Sequence, residues 1–146
     1  MRQNILLVGP KINVSNTRAY GGGVGGYTRN MKVYLNCFKF DSIEIIPCFH
    51  SIRGEVNLAF LNGPIRLIYD VFQLLKSFLK FKISGVHIMA QYRGAIVREV
   101  LFVVISNIFG KPVLYEIKAG SFESTYNTKS IIYKVFINFV LNNAKL

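Results

Sequence analysis

Apolar positions along this chain fall into two spacings, and the change from one to the other divides it into strands and helices. Asn4-Ile-Leu-Leu-Val-Gly9 is a short continuous apolar run closed by Gly9-Pro10, the pattern of a strand buried on both faces. Over 24–38 the residues Val24, Tyr27, Met31, Tyr34, Leu35 and Phe38 recur at helical intervals and predict a first helix. Ser42-Ile-Glu-Ile-Ile-Pro47 predicts a second strand, β-branched and stopped by its proline. A helix is predicted over 65–81, where Ile68, Val71, Phe72, Leu75, Phe78 and Leu79 make a stripe that faces a core or a partner. Further on come a strand over 85–89, a helix over 94–109 stopped by Gly110, a strand over 111–117 and a helix over 130–141.

Strands and helices therefore alternate throughout, which predicts a single α/β domain over 1–146. Its expected form is a Rossmann-like parallel sheet with helices on both faces. Ligands of such sheets bind beyond the carboxyl ends of the strands. The loops over 10–26, 90–94 and 118–126 are expected to share that edge, whereas 51–64, with Arg53-Gly54 and Asn62-Gly63-Pro64, reads as irregular connection.

Composition adds a partner to this picture. The chain has 146 residues, of which 51% are hydrophobic, and a mean hydropathy of +0.35. That excess implies a covered surface: a second domain, an oligomer or a membrane. No apolar run approaches the ~20 residues that cross a bilayer; the longest, over 100–109, already contains Ser106 and Asn107. The stretch over 5–8 is too short for a signal peptide, so a cytoplasmic location is expected, peripheral at the inner face of the membrane where a partner lies there. Eighteen basic against seven acidic residues leave a net charge of +11 and a pI of about 9.9. A polyanionic partner follows: nucleic acid, anionic lipid or a phosphate-bearing substrate. The basic residues are scattered, with no recognition-helix, RNP-like or zinc-ligand pattern, and the apolar excess favours a membrane surface over nucleic acid. Cys37 and Cys48 lack metal-ligand spacing and read as reduced, partly buried thiols.

The most pointed chemistry lies in Tyr20-Gly-Gly-Gly-Val-Gly-Gly-Tyr27, before the first predicted helix. Bare glycine backbone approaches a ligand closely, and the free N–H groups of a helix start attract phosphate. Gly21-x-Gly23-x-x-Gly26 matches the dinucleotide fingerprint formally, but about a dozen residues separate it from Gly9. Pro47-Cys-Phe-His50 also stands where a ribose-binding acid belongs, so nicotinamide and flavin readings are disfavoured. No Gly-Lys-Ser/Thr follows, which excludes a Walker A loop. A plain turn remains the bland alternative, although five glycines in six positions exceed what a turn needs.

The sequence resembles the N-terminal domain of family 4 glycosyltransferases, which have the two-domain GT-B fold. The resemblance rests on the runs from Asn4 and Gly21, on Gly85-Val-His-Ile-Met89, and on Phe109-Gly-Lys-Pro-Val-Leu-Tyr-Glu-Ile-Lys-Ala-Gly-Ser-Phe122, and it spans essentially the whole chain. It implies the N-terminal half of a GT-B architecture, the half that binds acceptor. The full enzyme of that kind moves a sugar from a nucleotide-sugar to a glycan or lipid-linked acceptor, with retention, no cofactor and no bound metal. By resemblance Gly22, Gly23 and Val24 approach the donor diphosphate or the transferred sugar; Gln91 and Arg93, which follow the third strand toward the ligand edge, are acceptor-site candidates. Two departures stand out: Met89 and Lys118 occupy positions where the family often has histidine. Lys118, in the segment that runs to Gly120, either faces a phosphate or hydroxyl or is a solvent-facing lysine. Glu116 either orients Lys118, binds a sugar hydroxyl or is a paired structural charge. His87 reads as a packed, hydrogen-bonded strand histidine rather than a base, and His50 has only its loop position in its favour.

The donor-binding domain is absent from these residues, so the chain alone is expected to bind acceptor weakly and to catalyse little. The missing half, or a partner chain that supplies it, is an implied partner. Two rival classes remain: a non-catalytic interaction subunit of a split enzyme, and a basic nucleic-acid-binding module. The helix over 65–81 offers a membrane-facing side, with Arg66, Lys76, Lys80 and Lys82 beside Phe72, Phe78, Leu79 and Phe81. An ordinary amphipathic helix laid on the sheet accounts for the same stripe.

Overall fold

The structure, a computed structural model, describes residues 3–10, 42–50, 62–90, 95–117 and 122–144. Four strands lie in one sheet: β1 (Gln3–Pro10), β2 (Ile43–His50), β3 (Ile83–Ala90) and β4 (Val113–Ile117). Their order is β2-β1-β3-β4 and every pairing is parallel. The described helices are α1 (Asn62–Lys80), α2 (Ile96–Ile108), α3 (Phe122–Thr128) and α4 (Ile131–Asn143). This is the Rossmann-like α/β fold that the alternation predicts.

Side chains of a strand alternate between faces, so each strand sends every second residue into a given layer. Leu6 and Val8 of β1, Ile46 and Cys48 of β2, Val86 and Ile88 of β3, and Val113 and Tyr115 of β4 share one face and one core. Onto it α1 brings Leu74 and Phe78, α2 brings Phe102 and Val103, and α4 brings Tyr133, Ile137 and Val140. Each fully buried side chain of this size contributes about 1.5–3 kcal/mol. α2 lies between α1 and α4 and packs on both; at its far end the rings of Phe109 and Phe78 stack at 4.6 Å. The other face of the sheet carries Leu7, Gly9, His87, Met89, Leu114 and Glu116. Leu7 and Met89 are buried yet belong to no part of the first core. The helix expected over 24–38, which helices on both faces require, lies outside the described residues.

Several boundaries differ from those expected, each for a physical reason. β2 continues through Pro47 to His50, because among the described strands it is an edge, where a missing N–H leaves no ladder bond unmade. α1 begins at Asn62 rather than after the Gly63-Pro64 turn signal, since the first turn of a helix needs no N–H from Pro64. Residues 122–126, expected in the loop over 118–126, belong instead to the short helix α3, with Phe122 and Tyr126 one turn apart and their rings 6.1 Å from each other.

The expected stripe of α1 is split. Of its members Phe78 goes to the core and Val71 packs against it, joined by Leu74 and Asp70 from outside the stripe, whereas Ile68, Phe72 and Leu79 are exposed. α2 ends as its sequence predicts. Gly110 has φ +64, its N–H bonds to the carbonyl of Asn107, and the Lys111 N–H reaches that of Ser106, which is a Schellman closure.

Candidate functional site

A parallel sheet puts all of its carboxyl ends on one edge, here the ends of β1 at Pro10, β2 at His50, β3 at Ala90 and β4 at Ile117. From β2 the chain crosses over β1 to reach β3, so the strand order reverses between β1 and β3. Ligands of open parallel sheets bind at such a reversal. At that point the Met89 side chain of β3 lies over Gly9 of β1, so that a Cβ on Gly9 would overlap its methyl. Glycine at position 9 and methionine at position 89 thus fit one another, an arrangement in which a methyl end replaces one residue's missing side chain.

Beside this seam, on the face opposite the core, His87 and Glu116 form a pair. His87 Nε2 lies 2.9 Å from Glu116 Oε2, with the two side chains 14% and 30% exposed. The pair bridges adjacent strands diagonally, because β3–β4 register sets His87 opposite Leu114 and Met89 opposite Glu116. With Nε2 turned to the carboxylate, Nδ1 is the ring nitrogen left to a further partner. Such a unit orients an imidazole and holds its proton against a carboxylate, as an acceptor for a hydroxyl requires. His87 is accordingly the hydrogen-bonded strand histidine expected of it, and Glu116 is a paired charge.

On the core side of the same edge lies a second polar set. α2 begins just beyond β3, and Glu99 in its first turn is buried where the helix N-terminus favours an anion. The Tyr115 hydroxyl donates to Glu99 Oε2. Burial, and then the Glu99 charge and hydrogen bond, push the Tyr115 phenol far above its usual range. Arg98 reaches across to α1, where Nη1 donates to Asp70 Oδ2 at 3.1 Å with the Asp70 side chain only 1% exposed. Burial lowers the Arg98 guanidinium, and the Asp70 carboxylate opposes that shift. Cys48 is a free, buried thiol, pushed up by burial while a Ser77 hydrogen bond pulls the other way. Sequence reasoning expected the reduced, partly buried thiol of Cys48 but missed Asp70, Arg98, Glu99 and Tyr115. The signal for Asp70 was a lone acid one turn from Leu74, on the core line of its helix, where a charge requires a partner. Arg98, 28 positions on, could not be named from spacing.

Of the residues singled out by sequence, Glu116 lies among those described. Gly22, Gly23, Val24, Gln91, Arg93, Lys118 and Gly120 lie outside them, as do Cys37 and the loop over 11–26. Among the described residues no three His, Cys, Asp or Glu side chains come together as metal ligands, and no helix is long and apolar enough to cross a membrane. No family model, curated protein or solved structure matches the chain.

Proposed function

We propose that the chain is the acceptor-side domain of a retaining glycosyltransferase, one that works with a nucleotide-sugar bound by a second domain or partner chain. The observation that carries this reading is the β1/β3 reversal. It puts β1, the strand that leads toward the glycine-rich run, next to β3, whose His87 pairs with Glu116 of β4 beyond it. A glycine-rich run suits a diphosphate leaving group, and a histidine–carboxylate pair suits a sugar hydroxyl. The resemblance of the four sequence runs to family 4 enzymes supports the same assignment.

The test is binding and transfer by the intact chain. Saccharide acceptors should shift its thermal unfolding, with nucleotide-sugars alone doing so weakly, and Gly23→Val should remove the effect while leaving the fold unchanged. A donor-binding half, encoded downstream or in a neighbouring gene, should restore transfer when mixed with the chain. Tight binding of duplex DNA at moderate salt, with no response to any saccharide, would overturn the reading in favour of a nucleic-acid-binding module.

A further inference from the structure

The outer side of the helical layer carries a pattern of its own. Along α1 the residues Ile65, Ile68, Phe72, Leu75 and Leu79 recur at alternate steps of three and four, the spacing of a coiled-coil seam. This line runs opposite the buried Leu74 and leaves Ile68 (69%), Phe72 (60%) and Leu79 (82%) exposed. α2 repeats the spacing with Val97, Leu101, Val104 and Ile108, on the side away from the buried Val103 and Ser106, and Ile108 is 76% exposed. Right-handed crossovers place α2 on the Leu75 side of α1, so Lys76 and Lys80 stand on the flank away from it, at the margin of the layer. The lines of α1 and α2 therefore adjoin as one apolar strip, more than scattered surface hydrophobes would give.

Alignment and charge say what covers the strip. The Asp70–Arg98 ion pair and the Phe78–Phe109 stack hold α1 and α2 at a common height. The line from Ile68 to Leu79 has its midpoint between residues 73 and 74, and the line from Val97 to Ile108 between 102 and 103, at the same level. One two-fold axis lying across both helices therefore satisfies both lines at once. It sets Phe72 against Leu75 of a second copy and Ile68 against Leu79 on α1. On α2 it sets Leu101 against Val104 and Val97 against Ile108. Only residues at the axis meet their own copies. Lys76 comes opposite Tyr69 of the second copy, where a cation meets an aromatic ring. The two copies of Lys80 stand about 20 Å apart, beyond the screening length of about 8 Å. With 19 residues in α1 and 13 each in α2 and α4, the layer offers a face of roughly 600–700 Å², near the ~800 Å² that each partner of a stable complex buries. A helix lying on a bilayer flanks its apolar side with charge. The charges of α2 are Arg98 and Glu99, and they are tied to Asp70 and Tyr115.

We infer that two copies of the chain pack helical layer on helical layer in an antiparallel dimer, with α1 and α2 of each copy building a four-helix bundle about a two-fold axis. This inference stands apart from the transferase reading and survives its failure, since the strip lies on the helices and not at the strand ends. Sedimentation velocity of the intact chain should give twice the 16.6 kDa chain mass. Phe72→Ser with Leu79→Ser should weaken the dimer by about 100-fold or more. Both positions are exposed, so the circular dichroism spectrum should not change. Cross-linking reads the geometry. Chains with Ile68→Cys and chains with Leu79→Cys, mixed and oxidised, should join through a disulfide. Either variant alone should not, because each position stands about 16 Å from its own copy. The parent chain treated alike gives the background from its own two cysteines. A monomer at every concentration, a dimer indifferent to the serine pair, or a cross-link formed by Ile68→Cys alone would overturn the inference. So would a monomer that binds anionic vesicles and loses them with Phe72→Ser and Leu79→Ser, which would give the strip to a lipid surface.

Discussion

At the scale of single residues, the described structure is held in place by charges that apolar helices enclose. Asp70 and Arg98 tie α1 to α2 where neither side chain has ready access to water. Removing one partner of such a pair leaves the other buried and uncompensated. Asp70→Ala should cost about 3–5 kcal/mol, read from the midpoint of urea unfolding, whereas replacing both residues by Leu and Met should recover most of that loss. Tyr115 makes a different prediction, because its phenol is raised by burial and by Glu99. The unfolded chain releases this proton above the ordinary value of about 10, while the folded chain keeps it. The stabilisation is therefore complete below pH ~10 and is lost as the pH climbs beyond it. Tyr115→Phe should lower stability at neutral pH by about 1–2 kcal/mol through the lost bond to Glu99. Above pH ~10 its stability should fall less steeply than the parent's, by about 1.4 kcal/mol per pH unit.

At the scale of elements, the signals that act locally were legible and those that need a distant partner were not. Gly110 closed α2 in sequence because a left-handed residue after a helix favours glycine, and its φ of +64 bears this out. Gly110→Ala should therefore cost about 1 kcal/mol in thermal unfolding, through strain at that φ and with no loss of contacts. Ser130, whose side chain accepts from the Tyr133 N–H at the start of α4, is a local cap that the sequence reading did not use. The sides of α1 were not legible. Its sequence has two candidate apolar lines, and the buried one was selected by the demand of Asp70 for Arg98, a residue on another helix. Pro47 misled for a related reason: its effect depends on whether the strand is an edge, which sheet order decides. Of the candidate site, Glu116 was legible by its place at a strand end, but its pairing with His87 depended on β3–β4 register.

At the scale of the whole molecule, the sheet separates two surfaces with different chemistry. Its carboxyl edge combines the β1/β3 reversal with the His87–Glu116 pair, and the outer side of the helices combines apolar lines with lysines. A strand of eight residues such as β1 or β3 extends roughly 25 Å from one edge to the other, so a ligand at the carboxyl edge cannot touch the amino edge. Amide chemical shifts recorded during titration with a saccharide acceptor should therefore move at Ala90, Glu116 and Ile117. They should stay still at Gln3, Ile83 and Val113, where the same strands begin. Glu116→Gln should weaken the response by about tenfold, because a neutral amide holds the imidazole and a hydroxyl less firmly than a carboxylate does. Phe72→Ser, at an exposed position of α1, should leave these shifts and their midpoint unchanged. Shifts spread evenly over both edges, or concentrated on α1 and α4, would instead place the saccharide on the helical layer and detach the acceptor role from the strand ends.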